Sequence, residues 1–212
     1  MAQNMRTTKS ASSAERAGNS RAGTSVDSGA TVHLGSGDLG ILNYALALEQ
    51  LEAEFYSRAV DAKPSGLDEE AMSILDDLRK HEAVHREFFF TALGNNAIPQ
   101  LSFDFSSVDF TNGNSVLQAA RNIEDLGVSA FNGAGQLLTN PDFLAVAGKI
   151  VSVEARHAAA IRDLLAPKTA SFAGDDVVDA SGREGARLPS EVLPLAAPFI
   201  KQRIDASQLP TM

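Results

Sequence analysis

The sequence predicts an all-α protein, a four-helix bundle in which a long connection joins the second helix to the third. Three observations lead to this prediction. Four segments of about 25 residues place apolar side chains three and four positions apart, which is the period of an amphipathic helix. Proline, glycine and asparagine residues that end or begin helices separate the segments. Each segment also carries one acidic residue within its apolar face, so a polar group is expected at the centre of the core.

The N-terminal segment differs in composition from the rest of the chain. Residues 1–36 are rich in Ser, Ala, Thr, Asn and Gly and contain almost no large apolar side chain. Such a segment cannot bury enough apolar surface to offset the entropy that it loses on ordering. The sequence therefore predicts a disordered tail over 1–36, a bundle over 37–166 and a C-terminal extension over 167–212.

The first two helices are expected to form a hairpin. The first helix is predicted to begin at Ser36 or Asp38, with Asp38 as its N-cap, and to end near Ala62. The Pro-Ser-Gly sequence at 64–66 breaks it, and an Asp-Glu-Glu sequence then places acids in the first turn of a second helix. That helix is predicted to run to Leu93, where a glycine ends it. The short break between them implies antiparallel neighbours.

A long connection separates this hairpin from the second one. Residues 94–113 carry apolar and aromatic side chains without a helical period, and they are too many for a simple turn. The segment is therefore expected to serve a structural role. A third helix is predicted over 114–139, and a fourth from Asn140 as N-cap and Pro141 as first residue to Leu165. An apolar segment at 192–204, which contains two prolines, is expected to cover the bundle.

The composition excludes several classes of function. There is no cysteine, so a metal ion would have to be bound by oxygen and imidazole nitrogen. A net charge of −9 argues against a nucleic-acid partner. No apolar run is long enough for a membrane span, and none follows the N-terminus as in an ordinary secretory signal. We therefore expect a cytoplasmic protein, with export by an unrecognised route left open.

Two Glu-x-x-His motifs stand on predicted helices. They are Glu82-Ala-Val-His85 on the second helix and Glu154-Ala-Arg-His157 on the fourth. A spacing of three residues puts the acid and the imidazole on the same side of a helix. A single motif of this kind is usually an exposed pair, but here each acid lies within the apolar face of its helix. The two motifs are therefore expected to face each other across the core.

The other two helices each contribute one acid to the core. Glu49 on the first helix and Glu124 on the third lie among apolar residues on the helical wheel. Four buried carboxylates without partners would each cost several kcal/mol, and too few basic residues lie near them to pair with all four. Two divalent or trivalent cations, with two neutral imidazoles, would balance the charge. This arrangement matches the pattern of a di-iron or di-manganese carboxylate bundle.

The sequence resembles the ferritin-like four-helix bundles, and among them the ferritin-like domain of plant desiccation-related proteins and of bacterial and fungal stress proteins. The resemblance rests on residues 42–56, 81–85 and 153–158 and covers roughly 38 to 165. It implies Glu82 and Glu154 as bridging carboxylates. It further implies terminal carboxylates at Glu49 and Glu124, one imidazole per metal at His85 and His157, and a supporting tyrosine at Tyr56.

The chain departs from the family pattern in two respects. Glu52 lies about 60° from Glu49 on the wheel of the first helix, so that helix offers two acids; Glu49 is the better centred, and Glu52 is kept as a support or alternate ligand. Nothing in the sequence indicates the contacts of a 24-subunit ferritin shell, although a smaller oligomer remains open. Iron storage therefore does not follow from the site.

Three functions are compatible with such a site. The first is a redox protein that binds two metal ions, for which iron is favoured over manganese. Such a protein would react with O2 or peroxide as a ferroxidase or a peroxide-consuming oxidoreductase in stress protection. The second is a non-enzymatic stress- or desiccation-protective protein with a structural or vestigial metal site. The third is peroxide disproportionation by manganese. Fe(II) oxidation or peroxide loss above the background of free metal would support a redox function, and metal-dependent stability without turnover would support the protective one.

Overall fold

The structure, a computed structural model, describes residue 27 and residues 29–211. Within this part of the chain the first long helix packs along the second and the third packs along the fourth, and the two hairpins together form a four-helix bundle. The predicted all-α bundle is thus confirmed. The elements are β1 (Thr31–His33), α1 (Gly37–Ala62), α2 (Glu69–Leu93), α3 (Gly113–Gly135), α4 (Pro141–Leu165), α5 (Pro189–Ala196) and β2 (Arg203–Asp205).

Local sequence sets most of the helix ends. Asp68 caps α2 with a side-chain hydrogen bond from the amide of Ala71. Asn140 caps α4 in the same way, with Pro141 as the first helical residue. Gly94, at a φ of 56°, ends α2, because glycine adopts this left-handed conformation without steric cost. The predicted boundaries of the second and fourth helices are confirmed.

The predicted N-cap of the first helix and the predicted end of the third are wrong for a single reason. Ser36, not Asp38, occupies the N-cap position of α1, and α3 ends at Gly135 rather than near Thr139. The carboxylate of Asp38 instead accepts hydrogen bonds from the amides of Thr139 and Asn140, both at 2.8 Å. These amides have turned away from α3, so a contact between distant parts of the chain has replaced local capping.

The connection between the hairpins is held against α1 by buried polar side chains. Asn43 donates to the carbonyl oxygens of Leu34 and Asn96 and accepts from the amide of Ile98. Gln50 accepts from the amide of Leu101 at 2.8 Å. The buried aromatic and aliphatic residues of the connection cover α1, so this helix is buried on nearly all sides. The expected structural role of the segment is therefore the closing of this face of the bundle.

The C-terminal extension also covers the bundle. Val192 and Ala196 of α5 are fully buried and α5 packs on α3. After α5, Ile200 forms an antiparallel β-bridge with Phe103 of the connection, and the chain then forms β2. Among the described residues no helix has both the length and the hydropathy that a bilayer crossing requires.

The predicted tail over 1–36 lies mostly outside the described residues. Its last part forms β1, which pairs in parallel with β2, placing Val32 opposite Ile204. Val32 and Leu34 are buried, so their side chains supply the apolar surface that fixes this strand. Residues within the predicted tail therefore have defined structure, at least from Thr31 onward.

Candidate metal centre

Four glutamates, one from each helix of the bundle, meet in its core. Each has none of its surface exposed: Glu49 on α1, Glu82 on α2, Glu124 on α3 and Glu154 on α4. His85 and His157 follow two of these acids by three residues and lie on the same helix faces, with side chains 12% and 3% exposed. The structure thus brings together all six residues that the sequence predicts as ligands.

The ligand atoms form two groups of four. Within each group, one atom from each residue lies within 4.8 Å of the others. Glu82 and Glu154 belong to both groups, so they lie between the two positions that a pair of ions would occupy. The first group is Glu49, Glu82, His85 and Glu154, and the second is Glu82, Glu124, Glu154 and His157.

The two imidazoles occupy equivalent places in their groups. His85 Nδ1 lies 2.8 Å from an oxygen of Glu154 and 3.4 Å from oxygens of Glu49 and Glu82. His157 Nδ1 lies 2.7 Å from an oxygen of Glu82 and 3.3 Å from one of Glu154. Each histidine therefore approaches both shared carboxylates.

These contacts are short, yet they lack the direction of hydrogen bonds. Among the described residues, both oxygens of Glu49, Glu82 and Glu154 and the Nδ1 atoms of His85 and His157 have no hydrogen-bond partner. A buried polar atom without a partner costs about 1–3 kcal/mol. Ligands at about 2.1 Å from one ion and at right angles to each other lie about 3 Å apart. The atoms therefore converge on common points, as bound metal ions require, and the residues fit such ions.

Burial and mutual repulsion act on the carboxyl groups. Burial raises the pKa values of Glu49, Glu52 and Glu124 well above the usual range for glutamate, and the neighbouring carboxylates raise them further. Burial acts in the same direction on Glu82, but the imidazoles of His157 and His85 outweigh it and lower the pKa of Glu82 to about 2. Without metal the cluster therefore holds both protonated and ionised carboxyl groups.

The carboxylates of the cluster in turn raise the pKa values of the two imidazoles. Burial disfavours the charged form of His85, but Glu154, Glu49 and Glu82 outweigh burial and raise its pKa to about 12. The pKa of His157 rises to about 10 for the same reason. Both imidazoles are thus cationic at neutral pH in the metal-free protein. A metal ion that binds to Nδ1 must displace these protons.

Glu52 is a fifth buried carboxylate beside the cluster. The helical wheel places it at the edge of the apolar face, yet it is 1% exposed, because its carboxylate packs against α3. A Cβ atom on Gly127 of α3 would lie only 2.6 Å from Glu52 Oε1, so the glycine leaves room for this carboxylate. Glu52 belongs to neither group of four, and its role as a support or alternate ligand stays a prediction.

Tyr56 lies where the resemblance implies a supporting tyrosine. Its hydroxyl donates a hydrogen bond to Oε1 of Glu124, while Oε2 of Glu124 lies 3.7 Å from His157 Nδ1. The tyrosine thus holds one oxygen of the carboxylate and leaves the other toward the cluster. This geometry suits a residue that orients a ligand.

Three further polar residues near the cluster could not be assigned from sequence. His81 Nδ1 lies 2.9 Å from Nε2 of His157, and the two rings stack. Asp125, next to Glu124, accepts two hydrogen bonds from Arg162 and, in the described part of the chain, forms no hydrogen bond or ion pair with a histidine. Tyr44 has a buried hydroxyl without a hydrogen-bond partner among the described residues. Two of these carried a signal in the sequence, since His81 lies one turn before His85 and Asp125 directly follows Glu124.

Comparison with known proteins identifies the family of the bundle. Residues 37–167 match the ferritin-like domain family, and the matched segment contains the four bundle helices and all six clustered residues. None of the curated proteins compared with the chain matches it. The family match covers more than half of the chain, and the bundle and its carboxylate–histidine cluster are those expected of such a domain. The chain therefore belongs to the ferritin-like domain family.

Proposed function

We propose that the bundle binds two metal ions and uses them in redox chemistry with O2 or peroxide. Iron is the preferred assignment and manganese the second choice. The simplest such reaction is the oxidation of Fe(II). One observation carries the proposal: buried carboxylate and imidazole atoms, without hydrogen-bond partners among the described residues, converge in two groups that share Glu82 and Glu154.

The kinds of ligand favour iron or manganese. Carboxylate oxygen suits Mn and imidazole suits Fe, whereas soft sulfur, which favours Cu(I), is not among the six clustered residues. In this assignment Glu49 and His85 would hold one ion, Glu124 and His157 would hold the other, and Glu82 and Glu154 would contribute to both. Bound iron would supply the electrons that reduce O2 or peroxide.

The protein's own residues would contribute in three ways. His85 and His157 give up protons when an ion binds, which neutralises part of the added charge. Tyr56 orients Glu124 through its hydrogen bond. The apolar residues around the cluster keep water away and strengthen the electrostatic interactions within it. Removal of Fe(II) together with O2 or peroxide would fit a role in stress protection.

The test measures metal content and turnover on the same protein. Elemental analysis of the protein as purified should give two ions per chain, and metal-free protein supplied with Fe(II) and O2 or peroxide should oxidise it faster than buffer does. Glu82→Gln should abolish both properties, because Glu82 belongs to both groups. Glu87→Gln is the matched control, since Glu87 is exposed on the same helix.

The outcomes separate the candidate functions. Peroxide loss with bound manganese and no oxidation of Fe(II) would replace the ferroxidase proposal with peroxide disproportionation. Metal that stabilises the fold without any turnover would replace it with the structural role. Failure to retain metal in the unmodified protein would overturn the proposal.

A further inference from the structure

His81 is an exposed histidine that contacts the cluster from its outer side. Its Nδ1 atom lies 2.9 Å from Nε2 of His157, and the planes of the two rings differ by only 9°. The side chain of His157 is 3% exposed, whereas His81 lies on the exposed surface of α2. The contact therefore joins α2 to α4 and links a buried candidate ligand to a residue at the protein surface.

The direction of this hydrogen bond follows from the other nitrogen of His157. Nδ1 of His157 faces the carboxylates, 2.7 Å from an oxygen of Glu82 and 3.3 Å from one of Glu154. If a metal ion takes the lone pair of Nδ1, the neutral ring carries its one proton on Nε2. Nε2 must then donate and Nδ1 of His81 must accept. His81 thus favours the tautomer of His157 that can bind metal and fixes the orientation of its ring.

The two ligand groups differ in this kind of support. Within the described part of the chain, no residue forms a hydrogen bond with Nε2 of His85, whose side chain is 12% exposed. The hydroxyl of Tyr56 holds one oxygen of Glu124, but both oxygens of Glu49 lack a hydrogen-bond partner among the described residues. Hydrogen bonds from other described residues therefore hold both ligands that belong only to the second group, and neither ligand that belongs only to the first.

We propose that His81 is a positioning residue for the second metal position, and that this position, preorganised by His81 and Tyr56, binds its ion more tightly and fills first. Ligands that are already fixed lose less conformational freedom when an ion binds. A residue that hydrogen-bonds a metal ligand typically contributes about 10- to 100-fold to metal affinity. The inference rests on the proposed function, since it concerns the same two ions, and it adds which of them is held more firmly.

Two substitutions of His81 separate positioning from a merely structural role. Leucine removes the acceptor at a similar size, whereas asparagine carries an amide oxygen on the same carbon that bears Nδ1 in histidine. His81→Leu should weaken binding at the second position about tenfold or more, and His81→Asn should recover most of that loss. His33→Leu is the matched control, because His33 lies on β1 and contacts Asp205 instead.

Calorimetric titration of metal-free protein with Mn(II) assigns the effect to one position. The unmodified protein should show two binding steps of unequal affinity, and His81→Leu should weaken the tighter one. Glu49→Gln isolates the second position and Glu124→Gln the first, so His81→Leu should weaken binding only when combined with Glu49→Gln. Two steps of equal affinity, or an equal loss at both positions, would overturn the inference while leaving the proposed metal centre intact.

The hydrogen bond itself is tested without metal. In 15N NMR of the metal-free protein, the Nε2 proton of His157 should exchange slowly with water, because it is buried and bound to His81. The signal should be lost in His81→Leu and return in His81→Asn, with circular dichroism confirming that both variants are folded. Its persistence in His81→Leu would overturn the role of His81. A protein that shows this dependence but takes up no metal would overturn the proposed function and the order of affinities that rests on it.

Discussion

The hydroxyl of Tyr56 on α1 lies 2.5 Å from Oε1 of Glu124 on α3 and donates a hydrogen bond to it. This bond joins two helices that belong to different hairpins. It also fixes one oxygen of a carboxylate that the proposed function assigns to a metal ion, so the tyrosine is expected to affect metal affinity without binding metal itself.

We expect Tyr56→Phe to weaken binding at the second group of ligands by about tenfold or more, the usual effect of losing a residue that orients a ligand. Titration of metal-free protein with Mn(II) or Fe(II) measures the change in Kd. Tyr44→Phe is the matched control, since it removes a hydroxyl that has no hydrogen-bond partner among the described residues. Equal Kd values for Tyr56→Phe and the unmodified protein would contradict the prediction.

The sharing of ligands predicts a graded loss of metal. Glu49→Gln should lose the ion of the first group only, and Glu124→Gln that of the second. Glu82→Gln should lose both, because its carboxylate belongs to the two groups. Glu52→Gln should retain the most metal, since Glu52 belongs to neither. Elemental analysis of the variants gives the order, and a greater loss from Glu52→Gln than from Glu49→Gln would move the ligand assignment to Glu52.

The stability of the metal-free protein should fall as pH rises. Glu49, Glu52, Glu124, His85 and His157 all have pKa values above those of the unfolded chain, so the folded state binds more protons than the unfolded state. Under that condition the free energy of unfolding decreases with pH. The histidine contribution is complete below about pH 6.5 and is lost as pH rises through about 10 to 12, and the glutamate contribution grows as pH falls toward about 4.5.

Glu82 has the opposite effect on stability, because its contribution to the free energy of unfolding is lost at low pH. Its pKa is lowered to about 2, so its contribution is present above the unfolded value of about 4.3 and is lost as pH falls toward 2. Denaturant unfolding of metal-free protein between pH 3 and 10 should therefore show greatest stability near pH 4.5 to 6.5. A stability that rises steadily from pH 6 to 9 would contradict the protonation states described for the cluster.

Metal should stabilise the fold, because an ion that binds only the folded state removes the repulsion among the carboxylates. The expected gain is about 4 kcal/mol at a thousandfold excess over Kd. It should increase with pH, since His85 and His157 must lose protons before they bind. Thermal melts with and without metal measure the gain, and Glu82→Gln serves as the control that should show none. Identical melting temperatures in the unmodified protein would mean that the cluster binds no metal.

Two glycines should respond to alanine in opposite ways. A Cβ atom on Gly133 of α3 would overlap the carbonyl oxygen of Arg187, whose amide donates a hydrogen bond to the carbonyl oxygen of Ser129. Gly133→Ala should therefore destabilise the protein by about 1–3 kcal/mol. A Cβ atom on Gly148 would meet nothing, so Gly148→Ala should stabilise α4 by about 0.5–1 kcal/mol. Chemical denaturation compares them, and similar effects would contradict the close packing of the segment around Arg187 on α3.

The sequence predicts those features that depend on helix periodicity and local capping. The residues that share a helix face predict the bundle and the clustering of six candidate ligands. The capping residues predict the ends of α2 and α4. Features that depend on contacts between distant segments could not be predicted in this way. Asp38 binds the amides after α3 instead of capping α1, and Thr31–His33 is ordered by a strand from the other end of the described chain.

Burial of Glu52 illustrates the same limit within the site. A helical wheel assumes that one side of a helix faces solvent, so a residue 60° from the centre of the apolar face seems to lie at its edge. The carboxylate of Glu52 instead packs against α3 beside Gly127, so this edge of α1 lies inside the bundle. The wheel of α1 alone contains no information about this contact with another helix.

The parallel pairing of β1 with β2 has a mechanical consequence. Thr31 stands beside Arg203 and His33 beside Asp205, and the whole bundle lies between these strands along the chain. Tension applied before Thr31 and after Asp205 would pull the two strands in opposite directions along their length, so their hydrogen bonds would be loaded in shear and together. The paired strands would therefore bear the applied force, and the helices around the cluster would carry no load until the strands separated.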